Sequence, residues 1–181
     1  RAGGLSRFFG IPYGTDTGTN RFRPAVSPPS WSGVRDCFSL GAKAPQGPVS
    51  LPGLPGVADG PGLSVTEAIM RVVASDAVES EDCLFLNVHT PDSSSARLRP
   101  VMVWLHGGAF AVGSGFDAVT DPSLLALHGD VVVVSLNHRL NAMGYLYLGA
   151  LHDDFADSGN CGHLDIVLAL QWVRDNIVAF G

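Results

Sequence analysis

A histidine, two glycines and an alanine, His106 to Ala109, directly follow the apolar run Val101–Leu105. Main-chain N–H groups in such a turn can point at a developing oxyanion and stabilise the tetrahedral intermediate of acyl transfer. Glycine suits the position because a side chain would keep the substrate away from the amides. Gly107, Gly108 and Ala109 are therefore candidate oxyanion-hole residues, and a plain tight turn after a strand is the alternative.

The chain lacks a recognisable nucleophile for this chemistry. Hydrolases that build an oxyanion hole from such a turn carry their nucleophilic serine in the motif Gly-x-Ser-x-Gly. No serine of the 181 residues has glycine both two positions before and two positions after it. Gly113-Ser114-Gly115 is not such an elbow, because it lacks the spacing and the strand-to-helix setting. His106 is a poor general base, since the base histidine comes last in chain order. We expect His106 to pack against the turn and orient it.

A second group of candidate ligands lies between His152 and His163, where three aspartates accompany the two histidines. The spacing matches no zinc motif and the residues flank a glycine-containing loop. A solvated acidic loop is therefore favoured over a metal site, and we expect neither a metal nor a cofactor. His89, His128 and His138 have no partner pattern, so packing or surface roles are expected for them.

The composition is that of a globular chain. Hydrophobic residues make up 46% and charged residues 15%, which excludes disorder and indicates wide sheet burial. The net charge is −6 and Lys43 is the only lysine, so no basic cluster exists and nucleic-acid binding is unexpected. No apolar run reaches the roughly 18 residues of a membrane span. Residues 1–181 are expected to belong to a single domain.

Strand and helix patterns alternate after a glycine-rich and proline-rich beginning. The predicted strands are 81–88, 101–105 and 131–136, and the last two are apolar on both faces, as in a helix-covered sheet. The predicted helices are 66–73, 121–129 and 164–180. Glycine and proline recur through 41–62, which predicts a long loop. The order of elements predicts an α/β fold with a mostly parallel sheet, right-handed crossovers and flanking helices.

The three cysteines, Cys37, Cys83 and Cys161, are odd in number and widely separated. This pattern indicates buried free thiols rather than a disulfide framework. Unpaired thiols favour a cytoplasmic location. A secreted protein is also compatible, because the chain begins at Arg1 rather than at methionine and both of its ends look cut.

Eight short motifs lie along the chain, at Phe9–Tyr13, Arg21–Pro24, Trp31–Val34, Ala44–Gln46, Ser80–Val88, Trp104–Phe110, Ser135–Leu140 and Leu170–Ile177. In this order they resemble the type B carboxylesterases, the cholinesterase-like branch of the α/β-hydrolases. The likeness covers nearly the whole chain, and the run Ser80-Glu81-Asp82-Cys83 is specific to this branch.

The resemblance implies an α/β-hydrolase that cleaves small-molecule carboxylic esters through a serine acyl-enzyme. By family position, the N–H groups of Gly108 and Ala109 would be oxyanion donors. The helix at 164–180 would be followed by the strand that presents the serine, about a dozen residues past Gly181, with the acid and histidine further on. Residues 1–181 would then be the N-terminal part of the domain, truncated before the nucleophile strand and inactive alone. Without that neighbour, the strand at 101–105 would be an exposed apolar edge.

Two other functions stay open on the sequence. Some relatives of the cholinesterases keep the fold and lose the serine, which makes a non-catalytic adhesion or scaffold protein the main alternative. A short protein with a binding role is the third option, and the end of the chain before a central strand argues against it.

The resemblance also implies two ion pairs, Arg21 with Glu81 and Arg139 with Asp165. Each of these charges lies beside apolar sequence and would be costly to bury alone. Breaking one partner of a buried pair typically costs about 3–5 kcal/mol.

Two further expectations come from the resemblance. Cys83 matches a family cysteine whose usual disulfide partner lies in the loop after Gln46, and residues 45–62 contain no cysteine, so that disulfide should be absent. Phe110 and Phe116 would line the acyl pocket, with ordinary core packing as the alternative.

Overall fold

A computed structural model describes residues 4–46, 77–94, 97–117 and 120–181 of the chain. Its strands are β1 (Ser6–Pro12), β2 (Phe85–Thr90), β3 (Val101–Leu105) and β4 (Val132–Leu136). Its α-helices are α1 (Ser123–Gly129), α2 (Asn141–Tyr145) and α3 (Cys161–Asn176), with 3₁₀ turns at Thr17–Thr19, Asp153–Phe155, Ser158–Asn160 and Ile177–Phe180. The predicted helix at 66–73 and most of the predicted loop at 41–62 lie outside the described residues.

The four strands form one sheet in the order β1-β2-β4-β3. β3 and β4 are parallel, with Val101 opposite Val132 and Leu105 opposite Leu136, and α1 lies in the connection between them. β2 runs antiparallel to both β1 and β4. In the described residues the sheet is therefore mixed rather than mostly parallel. Apolar patterning predicts that a strand is buried but does not encode its direction.

The element boundaries follow local chemistry. β4 is a valine-rich run buried along its whole length. Before α1, the Asp121 side chain accepts hydrogen bonds from the N–H and hydroxyl of Ser123, so the helix begins two residues later than predicted. α3 begins at Cys161, before the predicted start, and tightens into a 3₁₀ turn before Gly181. β2 begins at Phe85, because the backbone before it bonds outside the sheet: the Phe85 N–H donates to Cys83 O at 2.8 Å, and Glu81 O accepts from the Thr17 hydroxyl at 2.6 Å.

Each face of the sheet is covered by a helix. Ala169 and Val173 of α3 pack against the face formed by alternate residues of β2 and β4, namely Leu86, Val88, Val132, Val134 and Leu136. On the other face, Ala126 of α1 packs with Leu5 and Val133. Because side chains alternate along a strand, Ser135 shares the face of Val133, and its neighbour Asn87 lies opposite it in register. The α1 face is therefore partly polar.

β3 is an edge strand in the described part of the chain. Val101 is 38% exposed, Met102 46%, and Trp104 and Leu105 45% each. The expectation of an exposed apolar edge at 101–105 is confirmed.

The three cysteines are free thiols. Cys83 and Cys161 are buried, as predicted, whereas Cys37 is half-buried. Within the described residues, no helix combines the length and the hydropathy that a membrane crossing requires.

Candidate active site

The candidate site occupies the turn that leaves the carboxyl end of β3. Because β3 and β4 are parallel neighbours, the segment that follows Leu136 emerges beside this turn. Ligand sites in open α/β sheets lie outside the carboxyl ends of such strands. Gly107–Ala109 therefore occupies the part of the fold where chemistry is expected.

Three consecutive residues of the turn have positive φ. Gly108 has φ of 116°, Ala109 of 52° and Phe110 of 60°. A Cβ atom at Gly108 would lie 2.0 Å from the carbonyl oxygen of Val112, so this position requires glycine. The left-handed conformation of Ala109 and Phe110 is costly for residues with side chains and is typical of functional turns.

This conformation leaves main-chain donors free. The carbonyl of Gly108 accepts hydrogen bonds from the N–H groups of Ala111 and Val112, at 3.0 and 3.1 Å. Among the described residues, no group accepts a hydrogen bond from the N–H of Gly107, Gly108 or Ala109. A Cβ atom on Gly107 would meet nothing within 4 Å. Free N–H groups beside open space are what an anion-binding turn requires.

Two polar side chains from elsewhere in the chain hold the turn in place. The Gln46 amide donates to the carbonyl of Gly113 at 3.0 Å and accepts from the N–H of Gly113 at 2.9 Å. Asn141 donates from its main chain to Phe110 O and from its side chain to Ala111 O, both at 2.8 Å. The turn is therefore fixed on both sides by residues that sequence reasoning did not single out for this role.

Asn137 fixes the segment that follows the turn. Its side-chain oxygen accepts from the N–H of Gly115 at 2.8 Å, and its amide donates to Ala42 O at 2.9 Å. The Tyr13 hydroxyl donates to the carbonyl of Asn137. Gly115 lies so close to Leu136 that an added Cβ would be 2.7 Å from its main chain. An asparagine directly after a strongly apolar strand is a sequence signal that could have identified this role, although it was not used.

His106 packs where the sequence predicted. Its ring stacks on that of His138, with centroids 4.8 Å apart and 12° between the planes. Its Nδ1 is 2.8 Å from the carbonyl oxygen of Gly107, and its buried Nε2 has no hydrogen-bond partner among the described residues. His106 therefore orients the first peptide of the turn.

His138 is a buried packing residue. Its Nδ1 lies 2.9 Å from Arg139 O and 3.2 Å from the Tyr145 hydroxyl. Burial, with a smaller contribution from His106, lowers the pKa of His138 to about 4. The two stacked rings beside the turn therefore include one that is uncharged at neutral pH.

This shift predicts acid destabilisation. Between pH 6.5 and about 4 the unfolded chain binds a proton at His138 that the folded chain does not, so stability falls as the pH falls through this window. The loss from His138 is about 3 kcal/mol once the pH is below its folded pKa. Urea unfolding from pH 4 to 7 measures it in a chain that carries Met102→Lys and Trp104→Lys, which protect the exposed edge strand β3 from association. His138→Phe should make the profile shallower but not flat, because burial also lowers the pKa of His89 to about 4. The exposed control His128→Gln should leave the slope unchanged, and equal slopes in both variants would contradict the assignment.

The two phenylalanines of the predicted acyl pocket lie in different surroundings. Phe110 is 53% exposed, with ring centroids 4.9 Å from Tyr145 and 5.5 Å from His163. Phe116 lines a cavity over the sheet face that α1 covers. A role in the acyl pocket stays a prediction for both.

The acidic segment forms local contacts. Asp154 pairs with Arg23 at 2.5 Å, and its main-chain N–H donates to His152 Nδ1 at 3.1 Å. Across the described residues, no three His, Cys, Asp or Glu side chains are placed to hold a metal ion.

The predicted contact between Arg139 and Asp165 is confirmed. Arg139 Nε donates to Asp165 Oδ2 at 2.8 Å and Nη2 to Oδ1 at 2.7 Å, and the two side chains are 2% and 0% exposed. The Arg139 main-chain N–H also donates to Oδ2 at 3.0 Å, and Nη1 donates to Arg23 O at 2.8 Å. The pair joins the segment that follows β4 to α3.

The contact between Arg21 and Glu81 is also confirmed, at 2.7 and 2.5 Å. The expectation that it is buried is wrong, because the Arg21 side chain is 54% exposed. Solvent screens such a pair, so it positions the segment more than it stabilises the fold.

Known proteins are similar to this chain in sequence and in fold. The para-nitrobenzyl esterase of Bacillus subtilis (strain 168) is 41% identical over 179 residues, which cover 98% of this chain and 32% of the relative. Mus musculus neuroligin-2 is 36% identical over 203 residues, covering 99% and 23%. The solved structure of the Geobacillus stearothermophilus carboxylesterase EST55 matches with a TM-score of 0.81 and 38% identity, over 100% of this chain and 32% of that one.

The chain thus spans about a third or less of the length of these relatives. The structural match confirms the predicted α/β-hydrolase fold. A family model described as the carboxylesterase family matches residues 1–181, and the chain belongs to the carboxylesterase family.

Proposed function

We propose that this chain supplies the oxyanion hole of a serine carboxylesterase that acts on small-molecule carboxylic esters. The observation that carries the proposal is the turn with three successive positive φ angles, which leaves the N–H groups of Gly108 and Ala109 free beside the open space at Gly107. The nucleophilic serine, its histidine and the acid come from residues outside these 181.

The chemistry follows from that geometry. The serine oxygen bonds to the ester carbonyl carbon while the histidine takes its proton, and the carbonyl electrons move onto oxygen. The N–H groups of Gly108 and Ala109 donate to this oxyanion, which then collapses and expels the alcohol, protonated by the histidine. Because the turn is already held by Gln46 and Asn141, the donors need no reorganisation. Each donor typically contributes about 3 kcal/mol to transition-state stabilisation.

The surroundings of the turn favour an apolar substituent on the ester. Phe110 follows the donor residues directly and exposes half of its ring. The name of the Bacillus subtilis relative specifies a para-nitrobenzyl ester, whose alcohol part is an aromatic ring. We therefore extend the proposal to esters that carry an apolar or aromatic group.

A non-catalytic scaffold is the second candidate, and the likeness to neuroligin-2 is the observation that favours it. The turn argues for the enzyme. A scaffold has no use for strained residues that keep main-chain donors unpaired, and such strain persists only where the surrounding structure imposes it.

The direct test compares two polypeptides. The purified 181-residue chain is expected to hydrolyse para-nitrophenyl acetate no faster than buffer, because it holds no Gly-x-Ser-x-Gly nucleophile. The native gene product that contains this chain is expected to turn over the ester and to be labelled by a fluorophosphonate outside residues 1–181. Saturable turnover by the 181 residues alone would overturn the assignment of roles. A native product that is neither active nor labelled would select the scaffold.

Substitutions at two adjacent glycines distinguish an effect on catalysis from an effect on folding. In the native gene product, Gly107→Ala should lower kcat/KM by about 10²-fold without changing the unfolding midpoint, because its Cβ enters open space that the ester oxygen needs. Gly108→Ala should lower both kcat/KM and the unfolding midpoint, since its Cβ would clash with Val112 O. Gly129→Ala in α1, where a Cβ has ordinary contacts, is the control. Full activity of Gly107→Ala would contradict the proposed position of the oxyanion.

A further inference from the structure

A cavity of about 260 Å³ lies over the sheet face that α1 covers. Asn87 and His89 of β2 and Ser135 of β4 form its floor, and Phe9 and Phe116 are among its walls. An apolar cavity of about 150 Å³ is large enough for benzene, so this one has room for a substituted single ring. None of the proposed oxyanion-hole residues, Gly107, Gly108 and Ala109, lines it.

The floor carries an imidazole with unused hydrogen-bonding capacity. His89 is 4% exposed, and none of the described residues bonds to either of its ring nitrogens. Burial lowers the pKa of His89 to about 4, so the ring is neutral at neutral pH. A neutral imidazole offers one N–H donor and one nitrogen acceptor. Buried polar groups are normally paired, so an unpaired one in a cavity wall points to a missing partner.

The other floor residues leave donors free as well. The Asn87 side-chain oxygen accepts from the N–H of Gly10 at 3.0 Å, but its amide reaches the Ser135 hydroxyl only at 3.4 Å. Both side chains are 2% exposed. The floor therefore combines neutral donors with one imidazole acceptor, which suits a group that both donates and accepts, such as a hydroxyl.

Charges of both signs surround this neutral floor. Arg7 lies opposite His89 in the β1–β2 register and lines the cavity with Asp117 and Asp121. Asp117 accepts from the hydroxyl and N–H of Ser114 at 2.8 and 3.1 Å, and Asp121 from those of Ser123 at 2.5 and 2.9 Å. The two carboxylates outnumber Arg7, which disfavours an anionic ligand, and the uncharged floor of Asn87, His89 and Ser135 offers a desolvated cation no counterion, so a neutral molecule fits the floor best.

We propose that this cavity binds a neutral aromatic alcohol with a single ring, a phenol. The ring packs against Phe9 and Phe116, while the hydroxyl donates to the unprotonated nitrogen of His89 and accepts from Asn87 or Ser135. The aromatic walls supply the apolar contact and the floor supplies the orientation, as in most small-molecule sites. This proposal does not depend on the proposed esterase function.

Calorimetric titration of the native gene product that contains this chain tests the ligand class. Phenol is expected to bind about tenfold more tightly than toluene, because toluene leaves the floor donors and acceptor unpaired. Benzoate and benzylammonium are expected to bind more weakly than phenol. Equal binding of phenol and toluene would overturn the role of His89, and tighter binding of either ion would overturn the neutral ligand class.

Variants test the location. His89→Phe fills the floor and removes the acceptor, so phenol binding should weaken at least tenfold. Phe38 lines the cavity but is 83% exposed, so Phe38→Ala leaves the fold intact and should weaken binding at least threefold. Val34→Ala is the matched control, because Val34 lies in the same segment, is 96% exposed and does not line the cavity. Unchanged phenol affinity in Phe38→Ala, or equal losses in Phe38→Ala and Val34→Ala, would place the binding elsewhere and overturn the proposal.

Discussion

The purified 181-residue chain is expected to self-associate through β3, and the double substitution Met102→Lys with Trp104→Lys is expected to return it to a monomer. β3 is an edge strand whose backbone pairs only with β4 in the described residues. Its side chains are apolar and four of the five are at least 38% exposed. The strand contains no lysine, proline or bulge, the devices that protect natural edges from pairing with another chain.

Light scattering coupled to size-exclusion chromatography measures the effect. The wild-type chain should elute as large species with weak near-UV aromatic signals, and the lysine variant as a monomer with a cooperative melt. The gain in solubility cannot come from net charge. Two added lysines bring the net charge of −6 closer to zero, and a net charge nearer zero favours association.

A matched control adds the same two charges away from the edge. Val34→Lys with Leu151→Lys replaces side chains that are 96% and 80% exposed, and it should leave the association unchanged. A control that dissolves the aggregates equally well would show that β3 is not the contact. A wild-type chain that is monodisperse, with fixed aromatic signals, would defeat the prediction outright.

The elements nearest the site could be predicted because their signals are local. The apolar run at 101–105 coincides with β3, and the run at 131–136 misses the start of β4 by one residue. Both strands are short, apolar on both faces and bounded by polar or proline-containing segments, so few other structures satisfy the pattern. The turn after β3 was recognisable for the same reason.

The features that could not be predicted from the sequence depend on contacts between distant residues. Gln46 reaches Gly113 and Asn137 reaches Ala42, and no local pattern reports either pairing. The direction of β2 is likewise set by its partners β1 and β4 rather than by its own residues. The prediction of burial fails for the same reason. Arg21 and Arg139 both lie beside apolar sequence, but only Arg139 is buried, because it packs beneath a helix.

The buried ion pair of Arg139 and Asp165 supplies the largest expected change in stability. Asp165→Asn is expected to lower the free energy of unfolding by about 3–5 kcal/mol. The substitution removes the counterion of the buried Arg139 guanidinium and weakens the acceptor for the Arg139 main-chain N–H. A domain is typically stable by about 5–15 kcal/mol, so this loss is a large share of the total.

Urea unfolding in the monomeric Met102→Lys, Trp104→Lys background, followed by the fluorescence of the two remaining tryptophans, Trp31 and Trp172, measures the loss. Asp175→Asn is the matched control, because Asp175 lies on the same helix but its side chain is 55% exposed and, among the described residues, pairs only with its neighbour Arg174. It should leave the unfolding midpoint unchanged. If Asp165→Asn is no less stable than Asp175→Asn, the buried pair does not stabilise this fold.

A double substitution identifies the physical cause. If the cost arises from an uncompensated buried charge, Arg139→Met with Asp165→Leu should be more stable than Asp165→Asn alone, because no charge is then left without a partner. The recovery should be incomplete, since Arg139 Nη1 also donates to Arg23 O and that bond is lost with the guanidinium. A double variant no more stable than Asp165→Asn would show that packing and hydrogen bonds, rather than desolvated charge, determine the cost.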